Sequence, residues 1–318
     1  ERDMQIPDKR LALLFACAHP AIEVGIRAPL MLQVVLGLDG ETIASAFLVS
    51  PAAMCKRLSR AKEKIQQAGI PFSIPEREEL PHRLDTVLDA IYASFAEGWT
   101  DASGTDAIRR DLTDEAIFLA RLVVELLPQA AEALGLLALM LHAEARRPAR
   151  RNAAGDYVPL AEQDPQLWNS QLIDEAESLL RHAVTLETIG RYQLEAALQS
   201  AHAHRRRTGQ NNWAEVVQLY AALSAITDSP VVAINRALAI GEVHGAKAAA
   251  DALKDIATDD RLSEYQPYWA ARAELLSKTG AYDEARQAYE MAIGLERDPT
   301  VRAFLQKRLA ALAAPTIP

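Results

Sequence analysis

The chain has 318 residues, half of them apolar but only 6% aromatic, with a formal net charge of −9; that length accommodates two domains or one elongated array. Ala and Leu dominate and strand-type alternation is nearly absent, which is an all-α composition. Two cysteines, Cys17 and Cys55, exclude a disulfide framework or a Cys-rich zinc site and fit a reducing cytoplasm, and no apolar run reaches the roughly 18–20 residues of a membrane span.

Residues 8 to 19 and 21 to 37 read as two helices. Pro20 stops the first, and His19 falls near its last carbonyls, a commoner role than metal ligation because no further Cys/His pair has ligand spacing. Residues 41 to 47 have helical spacing, with Ile43, Ala44 and Phe47 on one side. A turn at Leu48, Val49 and Ser50 follows. Ser50 is a suitable N-cap and Pro51 fits the first helical position, so a second helix is expected from there, with Met54, Leu58, Ala61 and Ile65 facing the core. Ala53, Lys56, Arg57, Arg60 and Lys64 then fall outward. Between Ala52 and Lys64 five cations stand against the single Glu63, and residues 1 to 70 carry a net +2 while the remainder carries −11. A basic surface on an acidic chain is the footprint of a face that contacts nucleic acid, with small residues near the helix start approaching base edges and long cations reaching phosphates. An amphipathic helix with a solvated charged face is the ordinary alternative.

The stretch 71 to 81 holds Pro71, Pro75 and Pro81 with Glu76, Glu78 and Glu79, a semi-rigid linker and the expected domain boundary. Beyond it the chain repeats. IDEAESLLRHAVTLE from Ile173 and YDEARQAYEMAIGLE from Tyr282 share Asp-Glu-Ala, Ala, Leu and Glu in register, and DEAIFLARLVVELLP from Asp114 has the same pattern around Ala116 and Ala120. Trp269, Gly280, Tyr282, Ala285, Tyr289 and Ala292 stand at tetratricopeptide offsets, and Gly209, Gly245 and Gly280 are spaced 36 and 35 apart. About five helical pairs with a final capping helix from Thr300 to Leu312 are expected. The segment Arg146 to Trp168 interrupts them. Its Arg146, Arg147, Arg150 and Arg151 are expected to pair with the excess carboxylates of the repeats, or else to contact a protein partner, DNA or the N-terminal helices. His202 to Arg207 reads as a solvated helix end beside Gly209.

No catalytic constellation is present in the sequence, which holds neither a glycine-rich phosphate loop nor a nucleophile elbow, and no cofactor or metal is called for. The paired acids Asp174-Glu175 and Asp283-Glu284 recur at repeat offsets, as helix N-terminal charge does.

RLALLFACAHP, APLMLQVVLGLDG, Ile43 to Val49, Arg57 to Lys62 and GIPFSIPEREELPHRLDTVLDAIYASFAEGW together resemble region four of the extracytoplasmic-function sigma factors, more narrowly the bacterial group with a tetratricopeptide-like C-terminal extension. Ala18 stands where that family often has a second Cys, and Leu48 where most helix-turn-helices have Gly; the narrower group is similar to this chain in using Leu there. The resemblance implies a four-helix, DNA-binding region-four domain at residues 1–70, a linker at 71–81 and a tetratricopeptide-like helical-repeat solenoid at 82–318. It implies that Ser50 to Lys64 reads the minus-35 promoter element while RNA polymerase core holds the domain, and that the chain is a fragment lacking region two, unable to initiate transcription alone. Ala53, Lys56, Arg57 and Arg60 are the base-edge and groove candidates; Ser50 caps the recognition helix, and Thr42, Lys62 and Lys64 are the phosphate candidates. The solenoid is expected to regulate the sigma domain through an intramolecular or protein partner. A competing reading is a protein-interaction scaffold whose helical cap does not bind DNA.

Overall fold

The computed structural model describes residues 6–70, 73–99 and 107–313, which fold into fifteen α-helices, short 3₁₀ turns and one isolated bridge between Arg151 and Tyr157. The all-α composition is therefore realised. Pro71 of the proline-rich stretch lies outside the described residues.

The first helices are α1 (Lys9–Cys17), α2 (Val24–Val34), α3 (Gly40–Ala46) and α4 (Pro51–Ala68). Local signals set their ends. The Asp8 carboxylate accepts from the Arg10 and Leu11 amides at 2.7 and 3.2 Å, Ser50 Oγ accepts from the Ala53 amide at 3.3 Å, and Gly69 closes α4 with φ +60°. Leu11, Leu14, Phe15, Met31, Leu32, Ile43, Met54 and Leu58 are shut away from solvent between these helices.

A 3₁₀ turn at Arg77–Glu79 then leads into α5 (Leu80–Trp99), and α5 packs against α1, α2 and α3. Its apolar face, Leu84, Val87, Leu88, Ile91 and Phe95, is buried. Arg83, only 4% exposed, donates to the Phe15 carbonyl at 3.1 Å and to Glu79 Oε1 at 2.9 Å. Arg27 braces the same corner, donating to the Ile22 and Pro20 carbonyls at 2.7 and 3.0 Å. A guanidinium on a carbonyl at the end of α1 satisfies groups the helix itself cannot. Arg83→Ala is expected to lower the unfolding free energy by about 2 kcal/mol, the cost of leaving a buried carbonyl unpaired, and urea titration of the full chain measures it.

Two compact units emerge, one comprising Glu1–Leu141 with Ser178–Gln193 and the other His142–Glu177 with Leu194–Pro318. Neither edge falls at 71–81, where the sequence reading placed a domain boundary. Prolines there stiffen the chain locally, but they say nothing about where α5 buries its apolar face, and it buries it on the preceding helices.

In the first unit α5 pairs with α6 (Ala107–Leu126). Ala116 and Ala120, singled out by their repeat register, are fully buried. Next comes α7 (Ala131–Ala145), and after the inserted segment α8 (Ser170–Val184) and α9 (Arg191–Thr208). Within this unit Glu132 accepts from the Tyr192 and Gln193 amides at 2.9 and 3.1 Å, capping the start of α9 across 60 residues of sequence. Tyr192 Oη donates to Asp89 at 2.6 Å, and burial raises the Asp89 pKa despite that bond and nearby Arg191.

The second unit contains α10 (Trp213–Ile226), α11 (Pro230–His244), α12 (Ala246–Asp255), α13 (Gln266–Lys278), α14 (Tyr282–Leu295) and α15 (Pro299–Ala313). Successive helices pair. Gly209, Gly245 and Gly280 all have positive φ, of 72, 88 and 80°, and each stands just after a helix, so the spacing noticed in the sequence marks recurring helix stops. The register match also carries into burial: Ala176 and Ala285 are both at 0% exposure, as are Ala183 and Ala292. Small residues there let helices approach; Ala288, Tyr289 and Ala292 of α14 pack with Ala273 of α13 and Leu305 of α15.

The Arg146–Trp168 insertion is ordered by its own contacts. Arg147 pairs with Glu144 at 2.8 Å, and Arg151 reaches Thr300 Oγ1 at 2.9 Å and Asp298 at 3.4 Å. Arg146 differs from the expected carboxylate pairing, donating instead to the Gln199 side chain at 2.7 Å. Trp168, 6% exposed, anchors the segment among Ala145, Ala149, Ile173 and Ala203. The 202–207 cluster is likewise no simple solvated end. Arg205 lies 3.7 Å over the Trp213 ring and donates to Asn212 at 2.9 Å, and Arg206 donates to the Gln163 carbonyl at 2.7 Å. Only His204 and Arg207 of the cluster are exposed. Flat guanidiniums stack on indoles and bridge to carbonyls, which removes them from water.

Candidate nucleic-acid interface

Helix α3 begins at Asp39, whose carboxylate accepts from the Thr42 amide at 2.9 Å and the Thr42 hydroxyl at 3.1 Å; the amide bond is the main reason its pKa falls below the usual value. One residue past the C-cap of α3, Leu48 sits in the left-handed region with φ +53°. The backbone conformation that a glycine provides in most such turns is thus adopted here by leucine, held by the Val49 amide on the Ala44 carbonyl at 3.0 Å. Ser50 and Pro51 then start α4 as their residue types dictate. The two helices approach so closely that a Cβ added at Gly40 would lie 2.6 Å from Cys55 Sγ.

Met54 and Leu58 pin α4 to the core, with Ala61 and Ile65 partly buried on the same side. At 100° per residue Ala53, Lys56, Arg60 and Lys64 fall within one flank of the helix, and all four are exposed. Lys56, Arg60 and Lys64 make no hydrogen bond or ion pair with the described residues. Ser50 is exposed; its Oγ accepts from Ala53, which leaves the hydroxyl proton to donate outward.

Three of the residues proposed from the sequence stand apart. Arg57 is only partly exposed, and its Nη2 donates to the Gly25 carbonyl at 2.9 Å, so this guanidinium ties α4 to the start of α2. Thr42 spends its one hydroxyl proton on Asp39, whose negative charge also opposes a phosphate at that point. Lys62 is exposed but falls on the opposite flank from Lys56 and Arg60. Arg57's long-range acceptor has no local sequence signal, whereas Lys62's displacement is readable from helical periodicity.

Elsewhere the sequence reading passed over a cleft of about 320 Å³ between α10, α11 and α12, lined by residues that include Asp228, Arg236, Asp255, Asp259 and Arg261. Cys17 is fully buried, and burial pushes its thiol up to about 12, so it is an inert core residue at the end of α1.

These features define an all-helical protein with an exposed cationic flank on its fourth helix. Residues 83–184 match a family of unknown function (DUF6596). An uncharacterized protein of Rhizobium meliloti (strain 1021) is 39% identical over 307 residues, which cover 96% of this chain and 72% of that protein. The chain belongs to the same family as this rhizobial protein, with the DUF6596 segment running from α5 to the end of α8. No solved structure matches it.

Proposed function

We propose that the chain is the promoter-reading and regulatory part of an extracytoplasmic-function-type sigma factor, in which α3 and α4 form the helix-turn-helix that recognises the minus-35 element for RNA polymerase. The observation that carries this reading is the flank of α4, where Lys56, Arg60 and Lys64 project without a partner among the described residues, behind the small, exposed Ala52 and Ala53. A groove-binding helix needs that order, with small residues where the backbone approaches bases and long cations where the phosphates run. Arg57 positions the helix through Gly25, and the base-reading role passes to Lys56 and Arg60. The helical hairpin of α13 and α14, with its small buried contacts, supports a tetratricopeptide-like extension whose role is to regulate the sigma domain.

Selection of duplexes from a random-sequence library by the full chain, followed by fluorescence anisotropy, tests the reading. Arg60→Ala and Lys56→Ala are each expected to lose about 1–3 kcal/mol on the selected duplex if the side chain reads a base. Lys64→Ala should weaken all duplexes alike and reduce the salt slope by about 1. Unselective binding that none of these substitutions alters would refute a promoter-reading helix and favour the scaffold reading. A truncation designed to isolate the DNA-binding part has to retain α5, because Arg83 and the apolar face of that helix complete its core.

A further inference from the structure

The cleft between α10, α11 and α12 lies wholly within the second compact unit and is independent of the DNA-binding reading. Its floor is apolar and low, made by Ala233, Ala237, Ile240, Ala252 and Ile256. One end is rigid. Arg261 donates to Asp259 at 2.7 Å and to the Asp228 carbonyl at 3.0 Å, and lies 3.5 Å from the Asp228 carboxylate, so this guanidinium is already engaged by two acids. Two of the hydroxyls along the rim are turned to protein as well: Ser224 donates to the Tyr220 carbonyl at 2.8 Å and Thr227 to the Leu223 carbonyl at 2.8 Å, while Ser229 Oγ accepts from the Val232 amide at 3.4 Å and keeps its proton free.

Two ionised groups remain. Arg236 on α11 and Asp255 on α12 both line the cleft, both are exposed, and neither makes an ion pair or hydrogen bond with the described residues, including each other. They stand nine residues before and ten residues after Gly245, where α11 turns into α12, so the hairpin sets them at a similar height on neighbouring helices. The two make no ion pair with one another, so opposite charges stand apart in one cleft, as the two ends of a small dipolar molecule require. At about 320 Å³ the cleft sits at the small end of the volumes, roughly 300–1,000 Å³, that hold small ligands.

We propose that this cleft binds a free α-amino acid with an apolar side chain, its carboxylate on Arg236, its ammonium on Asp255 and its side chain over the alanine-lined floor. Opposite charges held apart in one cleft match a zwitterion, whereas a simple anion would meet Asp255 and a simple cation Arg236. Where the chain also reads a promoter, such a site places a metabolite sensor in its helical-repeat extension, but binding is testable on the chain by itself.

Isothermal titration of the full chain with glycine, alanine, valine, leucine and isoleucine at millimolar concentration is the test, with N-acetyl-leucine amide and isobutylamine as probes lacking the zwitterion. At least one of the apolar amino acids is expected to bind and to raise the melting temperature, while the two probes, neither of which carries a carboxylate, do not. Arg236→Gln and Asp255→Asn should each weaken binding about tenfold or more, equivalent to one decade in Kd. Lys254→Gln, outside the cleft, should leave it unchanged. Both cleft residues are exposed, so unaltered melting of the free variants separates loss of binding from loss of fold. Absence of binding by every amino acid, binding that both cleft variants retain, or equal binding of the amide probe would each overturn the proposal.

Discussion

Gly135→Ala is expected to lower the unfolding free energy by about 3 kcal/mol or more, the upper range for overpacking against a backbone that cannot yield. Gly135 is in α7, and a Cβ built on it would come within 2.6 Å of the Gln193 amide nitrogen and 2.9 Å of the Gln193 Cα. Those are main-chain atoms of the first turn of α9, fixed in place by the Glu132 carboxylate one turn earlier. Moving them apart would also break those capping bonds, so strain and lost hydrogen bonding act together. Gly190 is confined by the other half of that contact, its Cβ position falling on the Glu132 side chain rather than on main chain. Urea denaturation followed by circular dichroism measures the loss, and a Gly135→Ala variant with wild-type stability would show that the two helices separate at little cost.

Acidification provides the second large effect. His202 is pushed down to about 4, first by burial and then by the positive charges of Arg205 and Arg146. Arginine can only donate, so the 2.7 Å contact between Arg205 Nη2 and His202 Nδ1 requires Nδ1 to accept, which the neutral ring alone permits. The unfolded chain binds the proton near pH 6.5, the folded chain only near pH 4. The neutral ring's contribution is therefore complete above about pH 6.5 and is lost as pH falls toward 4, by up to about 3 kcal/mol over that window. Carboxylates titrate at the lower end of the same range, so the measurement is a difference: stability against pH for the wild type minus that for His202→Gln, whose amide oxygen can still accept from Arg205. A difference curve that is flat between pH 6.5 and 4 would contradict the assignment of His202 as a neutral ring that accepts from Arg205.

Neither of these features announces itself in sequence. Glu132 and Tyr192 are 60 residues apart, Gly135 looks like a tolerated glycine in an alanine-rich helix, and AHAHRRRTG has the composition of a solvated end. Each acquires its role from a partner brought in by packing. The exposed flank of α4 is the opposite case. Its order of small residue, lysine and arginine at helical spacing is a property of adjacent residues, and Lys56, Arg60 and Lys64 are exposed where the periodicity put them. The same periodicity could not foresee that Arg57 reaches the Gly25 carbonyl, because that acceptor belongs to a different helix 32 residues away.

By itself the sequence determined the all-helical class, the start of α4 at Ser50 and Pro51 and its stop at Gly69, the glycine punctuation at 209, 245 and 280, and the cationic flank. Caps, stops and periodicity are short-range, encoded within a turn or two of chain, so they survive whatever the rest of the molecule does. Tertiary structure alone decided that α5 joins the N-terminal helices through Arg83 and its apolar face, that Arg57 is a tether, that His202 is partly buried against Arg205, and that Arg236 and Asp255 line one cleft without pairing. These depend on which surfaces meet, and an apolar face or a charged side chain specifies only that it needs a partner, leaving the choice among many to the packing of the whole chain.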